Sequence, residues 1–324
     1  MKEVIKDKKR NTNIEKYAID ELIKRTDGFI DPSLIKERIT KNLYNGVYLV
    51  SSEEIIKLND SKHTKGMYVD DLGLILIDEQ WFNRVNDVAV HEIVHAYLNS
   101  ESEIKILIND KKIGYGMGLE EGAASLVQKV GSISNIDDCQ VDSYRYQSHL
   151  FKQLNVLYQY SNSKKYKNLL QQLLAEPNQF LSCVFNIYND ILSNTSIERK
   201  EAIELSYKCA GAIVSTTDTM LEKTDMDYNL IFNIITNINA IYLSLADKSI
   251  RDEASNHPLF PSIKDSYISK EERLLSRLFG LEILDGYFNR QKHLLDTLLT
   301  MYIYEMDQLE IDTVDYGVSK IKLK

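Results

Sequence analysis

The sequence predicts an α+β protein, predominantly α, in which a small antiparallel sheet near the amino terminus precedes a large helical region. Short strand-like runs of apolar residues are confined to the stretch before Trp81. Beyond Trp81, apolar side chains recur at spacings of three and four residues, which is typical of helices. Only four prolines interrupt the chain, and three of them stand at predicted helix boundaries.

The first part of the chain alternates between helical and strand patterns. Residues 13–44 have helical spacing, and Pro32 begins a second helix there after an Asp31 cap. Three short apolar runs follow, at residues 47–50, 67–69 and 74–77. A turn at residues 70–73 joins the last two runs, so we expect them to pair as a hairpin in an antiparallel sheet.

The rest of the chain is predicted to be helical, with no strong strand between Trp81 and about Ile311. The change of pattern divides the chain into an N-terminal part, 1–130, and a helical C-terminal part, 131–324. Apolar spacing predicts helices at 87–99, 119–130, 143–160, 164–175, 178–193, 197–220, 228–246, 270–284 and 287–309.

Composition limits the class of protein. The 324 residues carry a net charge of −9 and a hydrophobic fraction of 44%, which is typical of a globular protein with a large core. The acidic balance argues against nucleic acid as a partner, because affinity for phosphate backbones comes largely from Lys and Arg. Three scattered cysteines indicate no disulfide framework, and the polar start of the chain does not resemble a signal peptide. We therefore expect a cytoplasmic protein, whose oligomeric state the sequence leaves open.

One predicted helix has about the length of a membrane span, because residues 228–246 carry no charge. Asn229, Asn233 and Asn237 recur every four residues in it and place a polar stripe along one helix face. Such a stripe is typical of a helix in a globular domain rather than of one facing lipid. We therefore expect no membrane partner.

The motif with the clearest chemical meaning is His91-Glu92-Ile93-Val94-His95. Residues four apart lie on the same face of a helix, so the imidazoles of His91 and His95 can hold one Zn²⁺. Glu92 stands beside the first imidazole, where its carboxylate can take a proton from the metal-bound water. The motif therefore predicts a zinc-dependent hydrolase.

A catalytic zinc site needs a third protein ligand. A Glu120-Glu121 pair opens a helix after a glycine-rich loop. Helix geometry places Glu120 closer to the apolar face and points Glu121 away from it, which favours Glu121 as the ligand. Glu120 and His149 remain alternatives for this position.

Hydrolysis of a peptide also needs a hydrogen-bond donor for the oxyanion that forms. Tyr144 is the preferred candidate because it starts the next predicted helix and can face back to the metal. The other candidates are Tyr115, Arg145, Tyr146 and His149.

The two motifs together resemble the gluzincin branch of the zincin metallopeptidases, which includes the thermolysin and aminopeptidase N families. The second motif of the aminopeptidase N family, W-L-N-E-G-F-A, lies over Gly118-Leu119-Glu120-Glu121-Gly122-Ala123-Ala124 and places the third ligand at Glu121. The resemblance implies a zincin-like catalytic core over roughly residues 45–160. In that core the hairpin segment 67–78 would form the upper rim of the cleft and bind the substrate backbone.

The chain departs from the family pattern in two places. The second motif lacks the Trp and Asn of the aminopeptidase N family. Ser125 occupies the position where thermolysin-like enzymes carry an aspartate that orients a histidine. These departures concern the residues around the ligands rather than the ligands themselves.

The sequence thus predicts a zinc metallopeptidase that holds one Zn²⁺ per chain and acts on a peptide or protein substrate. His91, His95 and Glu121 hold the metal, while Glu92 acts as general base and then as proton donor to the leaving amine. Two other hypotheses remain open. One is a metal-binding or metal-free scaffold whose helical half binds a protein partner, and the other is a regulatory protease with one dedicated substrate.

Overall fold

A computed structural model describes residues 5–59, 64–99, 106–108, 111–114, 116–136, 139, 144–195, 197–222, 228–246 and 259. Over these residues the protein is mostly helical with small sheets, so the predicted α+β class with predominant α structure is confirmed. The helices are α1 Thr12–Arg25, α2 Pro32–Asn42, α3 Ser52–Asn59, α4 Val85–Leu98, α5 Met117–Lys129, α6 Arg145–Tyr158, α7 Leu169–Ala175, α8 Phe180–Ser193, α9 Arg199–Glu222 and α10 Tyr228–Ala246. The strands are β1 Gly46–Val50, β2 Gly66–Val69, β3 Leu74–Asp78, β4 Ile106–Ile108 and β5 Lys111–Gly114.

The sheet near the amino terminus is mixed, with the order β1-β3-β2. β2 and β3 form the predicted antiparallel hairpin, whose turn ends at Gly73 in the left-handed conformation. The prediction of a wholly antiparallel sheet is wrong, because β1 pairs parallel with β3. Parallel pairing needs a long crossover connection, and the stretch from β1 to β3 provides one that includes α3.

Two short strands occur where no strand was predicted. β4 and β5 pair with each other in antiparallel orientation, with a register irregularity between Ile106 and Leu107. β5 has the sequence Lys-Lys-Ile-Gly, with a single apolar residue, so no second strand-like run marks this pair in the sequence. The expectation of no strong strand between Trp81 and about Ile311 did not include this short pair.

Every helix predicted between Trp81 and residue 246 is present, with ends shifted by a few residues. The largest shift is at α7, because the side chain of Asn168 accepts a hydrogen bond from the Gln171 amide and caps the helix there. The helices predicted at 270–284 and 287–309 lie outside the described residues, as do the side chains of Asn229, Asn233 and Asn237. Among the helices that the structure describes, none has the length and apolar character needed to cross a membrane.

The chain divides into two compact units. Unit 1 comprises Met1–Glu101 and Ala123–Tyr144, and unit 2 comprises Ser102–Gly122 and Arg145–Lys324, so the division passes through α5. The domain division predicted after residue 130 remains a prediction.

In unit 1, α4 is the central helix, packed by α1, α2 and the strands β2 and β3. Apolar residues surround its axis on all sides, and Ala89, Val90 and Ile93 have no exposed surface. A helix that is apolar all round is typical of a buried helix. Every side chain of β3 is also buried.

In unit 2, a chain of buried hydrogen bonds joins three helices. The Tyr188 hydroxyl on α8 donates to Asn239 Oδ1 on α10 over 2.8 Å. Asn239 Nδ2 donates to Gln153 Oε1 on α6 over 2.8 Å, and Gln153 Nε2 donates to Thr236 Oγ1 over 2.9 Å. We call these four side chains the polar ladder. Each polar group in it has a partner, as buried polar groups require.

Candidate metal centre

The buried helix α4 positions three residues of the HExxH motif. Val88 and Val94 help to bury this helix, so it cannot turn its histidines towards solvent without exposing apolar surface. His91 and Glu92 each have 7% of their surface exposed to solvent, and His95 is half-buried. The motif therefore lies at the edge of the core rather than on an open surface.

The imidazoles of His91 and His95 converge. Their Nε2 atoms lie 3.2 Å apart, and the ring planes make an angle of 67°. Tetrahedral coordination with Zn–N bonds of about 2.0–2.1 Å separates two nitrogen ligands by about 3.3 Å. The spacing of the two histidines therefore suits a cation that they share.

Glu121 on α5 joins the two histidines. One ligand atom from each of His91, His95 and Glu121 lies within 4.8 Å of the others. Among the residues that the structure describes, this is the group of three His, Cys, Asp or Glu side chains that could hold a metal ion. Glu120, the alternative on the same helix, does not belong to it.

His149 occupies a different environment. Its Nε2 lies 3.0 Å from the Leu259 carbonyl oxygen, and its ring packs edge-on against Phe232 at a centroid distance of 5.2 Å. Burial lowers the pKa of His149, so its neutral form, with Nε2–H donating to Leu259, is favoured. This histidine has a local structural contact and is outside the metal-ligand group.

Tyr144 lies against the first histidine of the motif. Its ring stacks on that of His91 at a centroid distance of 5.7 Å and an interplanar angle of 12°. Its backbone has a φ of 49°, a left-handed conformation that costs a non-glycine residue about 1–3 kcal/mol unless its surroundings favour it. The residue keeps 39% of its surface exposed.

The other donor candidates are placed elsewhere or are not described. Tyr146 packs on Phe232 with a centroid distance of 5.2 Å, and the Arg145 guanidinium lies 5.2 Å from the centre of the Tyr146 ring. Tyr115 lies outside the described residues. Of the predicted oxyanion donors that the structure describes, Tyr144 is the one whose ring is recorded stacked on a histidine of the motif.

Gly66, at the start of β2, lies against the carboxylate of Glu92, a contact that sequence reasoning missed. A Cβ atom at Gly66 would lie 3.0 Å from Glu92 Oε1 and 2.5 Å from a Val88 methyl group. The sequence feature that could have indicated this contact is a glycine directly before a strand-like run. Such a glycine often marks a place where the backbone approaches another group closely. β3 is the central strand, so β2 is the edge strand of the hairpin next to Glu92.

Ser125, one turn after Glu121 on α5, carries a buried hydroxyl group. Its Oγ makes no hydrogen bond within the described part of the chain, and the residue has no exposed surface. A buried hydroxyl without a partner costs about 1–3 kcal/mol. This hydroxyl lies at the position where the thermolysin pattern has an aspartate.

No known protein family, no characterised protein and no solved structure matches the chain. The function is therefore inferred from the geometry of the residues themselves. Two imidazole nitrogens and one carboxylate oxygen form the donor set, and a buried glutamate follows the first imidazole in the chain. These donor types are the ones that bind Zn²⁺ in proteins.

Proposed function

We propose that the protein is a zinc-dependent metallopeptidase. The observation that carries the proposal is the convergence of His91, His95 and Glu121, whose ligand atoms lie within 4.8 Å of one another. Two histidines and one glutamate, with one coordination position left open, are the ligand set of hydrolytic zinc sites. The resemblance of both motifs to the gluzincin branch supports the same function.

When bound there, Zn²⁺ lowers the pKa of a water molecule and polarises the carbonyl group of the peptide bond. The Glu92 carboxylate takes the proton that the attacking water loses. It then gives this proton to the nitrogen of the leaving amine.

The edge strand β2 offers a way to orient the substrate. Of the described strands, β3 is the one that pairs with β2, and we propose that an extended peptide pairs with the other edge of β2. Gly66 places the start of this edge beside Glu92. A peptide paired with β2 would therefore run past the proposed general base.

Tyr144 is proposed to donate a hydrogen bond from its hydroxyl to the carbonyl oxygen of the scissile bond. Tyr144→Phe keeps the ring that stacks on His91 and removes the hydroxyl. We expect kcat to fall by about 10²–10³-fold with zinc content unchanged, because that is the usual effect of removing one oxyanion donor. Steady-state kinetics beside metal analysis checks this, and an unchanged kcat would assign the donor to another group.

The experiment that tests the proposed function is elemental analysis of the protein purified without added metal. We expect wild type to hold about one zinc per chain, as a three-ligand catalytic site does, and His95→Ala and Glu121→Ala to lose it. Glu120→Ala is the matched control, because Glu120 is also half-buried on α5 but outside the ligand group. It should keep the metal.

A wild-type protein that holds no zinc and takes none up on dialysis would overturn the proposal. The scaffold hypothesis would then explain the chain better. If Glu120→Ala loses the metal and Glu121→Ala keeps it, the third ligand is assigned wrongly, although the two-histidine motif stands.

A further inference from the structure

The start of α5, the helix that carries Glu121, is held against α9. Gly118 allows this approach, because a Cβ atom there would lie 2.1 Å from the Thr217 carbonyl oxygen. Gly116 has a φ of +81°, and a Cβ atom on it would lie 2.9 Å from Leu181. Gly118 is therefore required by its close approach to the backbone of α9, and Gly116 is favoured by its left-handed φ.

The carboxylate of Asp218 on α9 accepts hydrogen bonds from the backbone amides of both glycines. Asp218 Oδ2 accepts from the Gly116 amide at 3.0 Å, and Oδ1 accepts from the Gly118 amide at 2.8 Å. The first amides of a helix have no partner within the helix, and its amino terminus favours a negative charge. Asp218 has 7% of its surface exposed and lies about 100 residues further along the chain. Its carboxylate accepts hydrogen bonds from the free amides and also places a negative charge at the start of α5.

A second close contact fixes the same helix one turn later. A Cβ atom at Gly122 would lie 2.7 Å from the Gln147 carbonyl carbon on α6. The Ser148 hydroxyl donates to the Gly122 carbonyl oxygen over 3.2 Å. Gly118 and Gly122 are four residues apart and share a helix face. Glu121 therefore lies on a turn whose position two backbone contacts determine.

We propose that Asp218 is a positioning residue for the metal centre. By holding the amides of Gly116 and Gly118, its carboxylate fixes the first turn of α5, the helix that carries the proposed ligand Glu121. This inference rests on the proposed metal site. Metal sites require their ligands within about 0.5 Å of the productive geometry, so a small shift of α5 is sufficient to weaken binding.

Asp218→Asn tests the proposal with little change of volume. The Asn side chain has one oxygen that accepts and an NH₂ group that cannot, so one of the two glycine amides loses its partner. We expect zinc to bind about 10–100-fold more weakly, as when other groups that orient metal ligands are removed. The measurement is competition with a chelator of known zinc affinity, together with the urea midpoint of the metal-free protein.

The matched control is Ser206→Ala on the same helix. Ser206 is fully buried and its hydroxyl donates to the Ala202 carbonyl oxygen at 2.6 Å, within α9 and away from α5. We expect this variant to lower the urea midpoint and to leave zinc affinity at the wild-type value. A loss of affinity in Asp218→Asn alone then separates positioning of the ligand from a general loss of stability.

Hydrogen exchange measured on the wild-type protein tests the same inference without depending on whether a variant folds. Because coupling between two sites is reciprocal, zinc should slow exchange in the peptide containing Gly116 and Gly118. Zinc should have no such effect on Glu121→Ala. Wild-type zinc affinity in Asp218→Asn, or exchange that zinc does not change, would overturn this inference alone. A wild-type protein without zinc would overturn it together with the proposed function.

Discussion

Glu92→Gln is expected to lower kcat for peptide hydrolysis by about 10²–10⁴-fold, the usual contribution of a general base. Gln has nearly the same size as Glu, so the buried position beside Gly66 stays filled. It cannot accept the proton of water, so proton transfer to the leaving amine is lost. Because Glu92 is not one of the three ligand candidates, zinc content should equal that of wild type.

The measurement uses a mixture of unstructured peptides, with products detected by mass spectrometry and zinc measured on the same samples. Glu120→Gln is the matched control, since it makes the same change on a half-buried residue outside the ligand group. We expect it to be as active as wild type. Full activity of Glu92→Gln would exclude the proposed mechanism. Zinc-loaded wild type that cleaves only one cellular protein would favour the regulatory protease.

Gly118→Ala is expected to remove zinc binding and to destabilise the protein at the same time. The added Cβ would lie 2.1 Å from the Thr217 carbonyl oxygen, so the backbone of α5 or α9 must move. Overpacking of this kind costs about 1–3 kcal/mol, and more when backbone must shift. The displaced helix carries Glu121, so we expect the metal to be lost as well.

Gly131→Ala is the matched control, because a Cβ atom there would have no neighbour within 4 Å. We expect its urea midpoint and zinc content to equal those of wild type. Equal midpoints for Gly118→Ala and Gly131→Ala would contradict the close contact between α5 and α9. A destabilised Gly118→Ala that still binds zinc tightly would show that Glu121 tolerates movement of its helix.

The parts of the candidate site that could be predicted from sequence are those set by local geometry. His91 and His95 are four residues apart on one helix, so their convergence follows from the helical period alone. Glu121 was favoured over Glu120 because of its direction from the helix axis, and the structure places Glu121 with the histidines. The ligand role of Glu121 stays a prediction.

The parts that could not be predicted depend on contacts between distant segments. Asp218 reaches Gly116 through the packing of α9, and no local spacing signals that contact. The parallel pairing of β1 with β3 was missed for the same reason, since a strand's apolar run does not specify the direction of its neighbour. The glycines of the loop were visible in the sequence, but the backbone groups that require them were not.

The polar ladder favours one packing of the helices of unit 2 over packings in which a helix is shifted along its axis. Apolar helix faces tolerate a slip of one turn with little loss of buried area, whereas hydrogen-bonded pairs do not. If α10 shifted against α6, the hydrogen bond between Asn239 and Gln153 would break. Each buried polar group left unpaired would then destabilise the fold by about 1–3 kcal/mol. The ladder thus disfavours shifted bundles, and it holds in register the helix whose Ser148 supports Gly122.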